Sequence, residues 1–105
     1  MIKSPKIFSE MASDPDFAEL LEEFVSKIPE RIRTIHERME AQDRTTLCTL
    51  VHQLRGACGS YGFHEMTPLA SALELALRSD KQLSELSIQV QDFLDACSRL
   101  TADPN

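Results

Sequence analysis

His52 stands in the stretch HQLRGACGSYGF, residues 52–63, with Arg55 three places on and Gly56 and Gly59 at four and seven. A neutral imidazole is a nucleophile or a metal ligand near pH 7, because its unperturbed pKa is about 6.5. A guanidinium beside it balances negative charge on whatever approaches. The same twelve residues hold Gly56, Gly59 and Gly62, which are all the glycines of the chain. A glycine inside a helix costs about 1 kcal/mol relative to alanine. Three of them next to one histidine therefore call for a compensating use, and bare backbone that lets another surface close on the ring is such a use.

Other chemistry-bearing residues are less favourably placed. His36 adjoins Ile35 in a long apolar-periodic stretch and has no glycine or paired ligand near it. His64 follows the Gly62-Phe63 corner and reads as a loop residue. Cys48, Cys58 and Cys97 are widely spaced, with no CxxC and no Cys/His zinc pattern, and read as small apolar residues in a reducing compartment. A metal site at His52 needs a second ligand three or four residues away. Arg55 and Gly56 hold the downstream places, so Cys48 on the upstream side is the one candidate. No P-loop and no glycine-rich nucleotide loop occurs, so nothing provides for an ATP site or autonomous kinase activity.

The elements that must position these residues are helical. A short leader, SPKIFSEMA, is predicted as a helix with Ser4 as cap and Pro5 in its first turn. A second stretch opens at Asp14-Pro15 and carries Phe17, Leu20, Leu21, Phe24, Val25, Ile28, Ile32, Ile35 and Met39 in steps of three and four. Pro29 falls inside it without shifting the apolar phase, which predicts one kinked but continuous helix to about Ala41. The third helix begins near Asp43, contains the His52 motif and ends at Gly62 as C-cap. The fourth starts at the Thr67-Pro68 pair, with Leu69, Ala70, Leu73, Ala76 and Leu77 on one face. The fifth runs from about Gln82 to Leu100, and the tail TADPN is expected to fray. No period-two alternation signals a strand. The predicted fold class is all-α: an antiparallel up-down four-helix bundle, one domain over residues 1–105, with a small N-terminal helix covering one end.

On a helical wheel at about 100° per residue, Leu47, Leu50, Val51, Leu54, Cys58 and Tyr61 fall on one arc. His52 lies nearly opposite its centre, with Gly56 one turn on, Gly59 two turns on and Arg55 and Cys48 flanking. Thr45 and Thr49 extend the stripe toward the N-terminus. The ring is thus expected on the solvent face. That face lacks the continuous apolar patch that a purely structural, helix-assembling bundle would need.

Composition narrows the partners. With 11 basic and 17 acidic residues the formal net charge is −6, which disfavours nucleic acid and anionic membranes. No apolar segment resembles a signal peptide or a membrane span, so a soluble, cytoplasmic protein is expected.

HQLRGACGSYGF resembles the motif of histidine-containing phosphotransfer (HPt) domains: His, any residue, Leu, Lys or Arg, Gly, two small residues, then a hydrophobic residue and Gly. His52, Leu54, Arg55, Gly56, Ala57, Cys58, Tyr61 and Gly62 occupy those places. The segments LASALELAL and FAELLEEFVSKIPERIRTIHERMEAQD resemble the family's neighbouring helices, the second including its mid-helix proline. Arg55 stands where lysine is commonest, Cys58 takes a place often held by alanine or serine, Gly59 is an additional glycine, and Tyr61 replaces an aliphatic residue; no chemically required group is lost. The resemblance implies a phosphocarrier of two-component phosphorelays. His52 would accept a phosphoryl group from a receiver-domain aspartate and pass it to another receiver, with Arg55 balancing phosphate charge. Arg44, Thr45, Cys48, Thr49, Gly56 and Gly59 would form the docking patch. It further implies receivers of response regulators or hybrid histidine kinases as partners, a divalent metal on the receiver and none on this chain, and a monomer. A receiver-docking bundle that carries no phosphoryl group is the alternative. The caps at both ends and the lack of a linker lean toward a free-standing protein.

Overall fold

In a computed structural model, which describes residues 5–104, five α-helices follow one another. They are α1 (Ala18–Ser26), α2 (Ile28–Glu40), α3 (Arg44–Ser60), α4 (Met66–Leu77) and α5 (Ser87–Ser98), the last preceded by a 3-10 turn over Leu83–Leu86. Helix α3 packs against α2 and most extensively against α4, and α5 packs against both α4 and α2, so the four form a closed ring of contacts. Leu21, Phe24, Ile28, Ile35, Leu47, Val51, Leu54, Cys58, Leu73, Leu77, Phe93 and Leu94 fill its interior. Among the described residues no helix is long and apolar enough to cross a membrane.

Periodicity anticipated these faces, with two exceptions. Leu20 and Leu69 belong to the apolar repeats but are 49% and 44% exposed.

Helix ends depart further from expectation. The stretch after Asp14 does not begin as helix. Asp14 Oδ1 accepts from the Asp16 backbone N–H at 3.0 Å and the Asp14 carbonyl from that of Phe17 at 3.0 Å, which closes a turn ahead of α1. Instead of one kinked helix, two helices meet at Lys27. Pro29 sits in the first turn of α2, where its missing N–H is one that a helix start leaves unpaired anyway. Helix α4 starts one residue before Thr67, with Glu65 as N-cap and no side-chain cap, and Pro68 lies inside its first turn. The predicted fifth helix divides into the 3-10 turn and α5 and stops before Leu100.

The leader is not helical in its described part, and Ser4 lies outside the described residues. Ile7–Phe8 form a short strand, β1, that pairs in parallel with β2, Leu100–Thr101, in the register Ile7 to Leu100 and Phe8 to Thr101. The tail expected to fray is thereby held, and Asp103 pairs with Lys6 at 3.1 Å. An extended arm wins because it buries Ile7 and lets its N–H donate to the carbonyl of Arg99, at the end of α5, at 2.8 Å.

Helix α3 is the best-defined element. Asp43 caps its start by accepting from the Thr46 N–H at 3.1 Å, and the hydrogen bonds from Thr46 hold the Asp43 carboxyl below its usual range. Its end is a Schellman motif: the Phe63 N–H donates to Cys58 O at 2.8 Å and the Gly62 N–H to Gly59 O at 3.2 Å, with Gly62 at φ +81°. The N-terminal arm closes over this corner. The Glu10 N–H donates to Gly62 O at 3.0 Å, and the Ser9 hydroxyl donates to Tyr61 O. A Cβ at position 62 would lie 2.6 Å from Ser9 Oγ and 3.2 Å from Glu10 N. Gly62→Ala is therefore expected to destabilise the fold by about 1–3 kcal/mol, from left-handed strain plus displacement of the arm. Urea titration followed by circular dichroism measures it, and an unchanged midpoint would contradict this account of the corner.

Candidate functional site

Helix α3 turns Leu47, Val51, Leu54 and Cys58 inward, and the same rotation places His52 on the outside, 54% exposed at its side chain. Gly56 and Gly59 lie along the ring's C-terminal flank. A Cβ at Gly56 would meet nothing within 4 Å, and one at Gly59 would reach only Thr67 Oγ1 at 4.0 Å. Neither glycine is needed for this chain's own packing. Alanine at either position would fit and favour the helix, so the bare backbone serves no contact within the molecule.

His52 does not stand on an empty face. Its Nδ1 lies 2.9 Å from Oε2 of Glu74, in the middle of α4, whose side chain is only 8% exposed. The same oxygen accepts from Arg78 Nη2 at 2.8 Å, and Arg55 Nε faces the other oxygen at 3.6 Å. Burial pushes the Glu74 carboxyl up, but the His52 hydrogen bond and the charges of Arg55, His52 and Arg78 outweigh it and hold the carboxyl below its ordinary value. Glu74 is thus a carboxylate and can only accept. Nδ1 must carry the hydrogen that joins them, so in the neutral form of the ring the lone pair is on Nε2, on its far side. The Arg55 Nη2 contact with Nδ1, at 3.3 Å, is then a close approach of a cation to the ring, since Nδ1 has no free lone pair to accept.

Sequence reasoning missed Glu74 and Arg78. The wheel of α3 shows the outward side of that helix but not what α4 lays beside it. A signal was present in α4: Glu74 falls between Leu73 and Leu77, on the face that packs inward, where an acid requires a partner.

The residues assigned to docking divide into groups. Thr45 and Thr49 are exposed on the N-terminal continuation of the His52 stripe, with Thr49 Oγ1 donating to Thr45 O at 3.2 Å. Cys48 is half-buried against the core. Arg44 has another task. Its guanidinium donates to Leu77 O at 2.7 Å, Ser79 O at 3.0 Å and Ala76 O at 3.2 Å, and so closes the C-terminal end of α4. A side chain held by three carbonyls is a brace between helices rather than a free contact. Tyr61, at the C-cap, is half-buried and stacks on Phe24 with ring centres 4.5 Å apart.

Away from the site, His36 is exposed on α2, and His64 pairs at 2.9 Å with Glu10 on the arm. Cys58 and Cys97 are buried, which pushes their thiols up to about 11 and about 12, and neither is a nucleophile at neutral pH.

Because the folded-state pKa of Glu74 lies below its unfolded value, its ionic contacts stabilise the fold above the ordinary carboxyl pKa and are lost as pH falls through the depressed value. Glu74→Gln is expected to lower stability at neutral pH and to narrow the gap to wild type in acid. Thermal melts from pH 7 to pH 3 measure this, and a pH-independent gap would contradict the depressed pKa.

Among proteins already known, the family model of the Hpt domain matches residues 19–103. No curated protein and no solved structure matches the chain.

Proposed function

Since the chain belongs to the Hpt domain family, which carries phosphoryl groups in two-component signalling, we propose that His52 accepts a phosphoryl group from a receiver-domain aspartate and hands it to a second receiver. The observation that carries this is the hydrogen bond between Nδ1 and the buried Glu74. It fixes the tautomer that leaves Nε2 nucleophilic on an exposed ring beside bare backbone. The same anchor turns the ring without consuming the nitrogen that reacts.

In the proposed step the Nε2 lone pair attacks phosphorus in line with the acyl-phosphate oxygen. The N–P bond forms, the P–O bond to aspartate breaks, and the electron pair leaves with the carboxylate. No proton need depart from this chain: Nδ1 keeps its hydrogen, and the positive charge that develops on the phosphorylated ring lies against the Glu74 carboxylate. Arg55, close to the ring on the same helix, balances the phosphoryl charge. Gly56 and Gly59 admit the receiver's backbone to the approach of about 3 Å that attack requires. The receiver brings the metal ion and its acidic cluster. The chain acts as a carrier with no turnover of its own, as a single HPt domain that docks through the surface around His52, Thr45, Thr49, Gly56 and Gly59. Cys48 contributes at its margin and Arg44 only by holding α4 in place. The same reading takes the ring of helices as an up-down antiparallel bundle and the protein as monomeric and cytoplasmic.

Incubation with a panel of phosphorylated receivers from the same cell tests the proposal. His52→Gln is expected to abolish labelling while leaving the helical spectrum and melting curve near wild type, because the ring lies outside the core. Label retained in that variant would exclude His52 as the acceptor. Gly56→Leu is expected to slow transfer at least tenfold while raising helix stability by up to about 1 kcal/mol. Unchanged transfer would show that the glycine notch is not where the receiver closes.

A further inference from the structure

Arg44 opens α3, and its half-buried side chain reaches across to the far end of α4. Its Nε donates to Leu77 O at 2.7 Å, and its Nη2 donates to Ser79 O at 3.0 Å and to Ala76 O at 3.2 Å. A helix leaves its last carbonyls without partners, so a capping role would explain this locally. Helix α4 asks more of the contact. Glu65 at its N-cap makes no side-chain cap bond, and its last turn carries no basic residue. Its inward face of Met66, Ala70, Leu73 and Leu77 is apolar, and the exposed Leu69 and Leu75 make it apolar outside as well. Apolar burial is non-directional, which leaves the fine adjustment of α4 along α3 to directed bonds. Among the described residues the polar contacts across that seam form two sets. One ends on Glu74, from His52 at 2.9 Å and Arg55 at 3.6 Å. The other is the Arg44 fork, whose shortest bond falls on Leu77, less than one turn beyond Glu74.

Building on the transfer proposed above, we propose that Arg44 is a positioning residue for the acceptor. By gripping the last turn of α4 it sets where Glu74 Oε2 takes the Nδ1 hydrogen, and so keeps Nε2 as the nitrogen that attacks. A hydrogen bond weakens steeply as its angle falls, so a small slide or turn of α4 loosens the anchor and frees the ring to take the other tautomer. Arginine suits this task. Its guanidinium is a planar fork with fixed donor directions, so carbonyls bound to it restrain rotation as well as distance. Lysine carries one compact ammonium on a flexible stem and cannot reproduce that grip. Asp43 steadies the other end: it accepts from the Thr46 N–H at 3.1 Å and pairs with Arg38 at 3.4 Å, which holds the backbone from which Arg44 springs.

The test reads the ring itself and needs no receiver. In isotope-labelled protein, in the alkaline range where imidazole is neutral, the nitrogen shifts of His52 report which nitrogen holds the hydrogen. His52→Gln identifies its signals. Wild type is expected to show the Nδ1–H form in excess. Glu74→Ala is expected to move the ratio toward Nε2–H by about tenfold, the scale of losing a hydrogen bond to a charged group. Arg44→Gln is expected to move it the same way by at least about threefold with Glu74 still in place, and Arg44→Lys to fall between Arg44→Gln and wild type. Ile28→Val is the control for general loosening, because Ile28 lines a cleft with Cys97 and Leu100 where α2 meets α5, not at the seam of α3 and α4. It is expected to lower the melting temperature and leave the ratio unchanged. A lower melting temperature in Arg44→Gln with a wild-type ratio, or an equal shift in Ile28→Val, makes Arg44 a stabilising cap only; the inference then falls while the acceptor role of His52 stands. If Arg44→Gln does not fold, the ratio in Arg44→Lys decides by the same rule. A wild-type ring already in the Nε2–H form removes the Glu74 anchor on which the transfer rests, and this inference with it, and shows itself without any Arg44 variant.

Discussion

The hydrogen bond from His52 to Glu74 is the contact on which the site depends. A carboxylate closed off between two helices is tolerated only when its charge is met. Here imidazole and guanidinium groups from α3 and α4 meet it at the seam where those helices pack most closely. One interaction thus links the fold to the chemistry: the acid's need for partners holds the ring, and the ring's tie to the acid selects its tautomer. A histidine on an open helix face would sample rotamers and both tautomers. This one is held in one orientation by the buried acid.

The glycines divide by physical role, although they crowd into one motif. Gly62 answers to the fold, since its φ of +81° and the arm packed over it leave no room for a side chain. Gly56 and Gly59 answer to no contact within the molecule, because a Cβ at either would meet no obstacle and would favour the helix. Stability is given up in the middle of α3 and recovered at its ends, through the Asp43 cap, the Schellman corner and the aromatic stack of Tyr61 on Phe24. Arg44 performs the corresponding service for α4, the helix that carries Glu74 and Arg78.

Much of this was legible in the residues alone. The apolar steps of three and four identified the helical segments and the inward faces of Leu47, Val51, Leu54 and Cys58, because that period is a property of one helix and needs no knowledge of its neighbours. The same wheel put His52 outside with Gly56 beside it, and the order of residue types carried the family resemblance that the match over residues 19–103 bears out. Helix ends were less legible. Asp14 and Thr67 carry the right chemistry for caps, yet a turn claimed the first and the second fell inside a helix already begun.

Sequence by itself determined most of the helical segments, their buried faces, the exposure of His52 and the family of the chain, all set by spacing within a few turns of chain. Tertiary structure alone decided that the leader is a strand, that Arg44 is a brace, and that Glu74 anchors His52. In each case the partner lies far along the chain: Ile7 finds Leu100, Arg44 finds Leu77, and His52 finds Glu74. No local pattern encodes such a meeting. It exists only once the helices have packed and each unpaired donor, acceptor or charge has taken the nearest group that satisfies it.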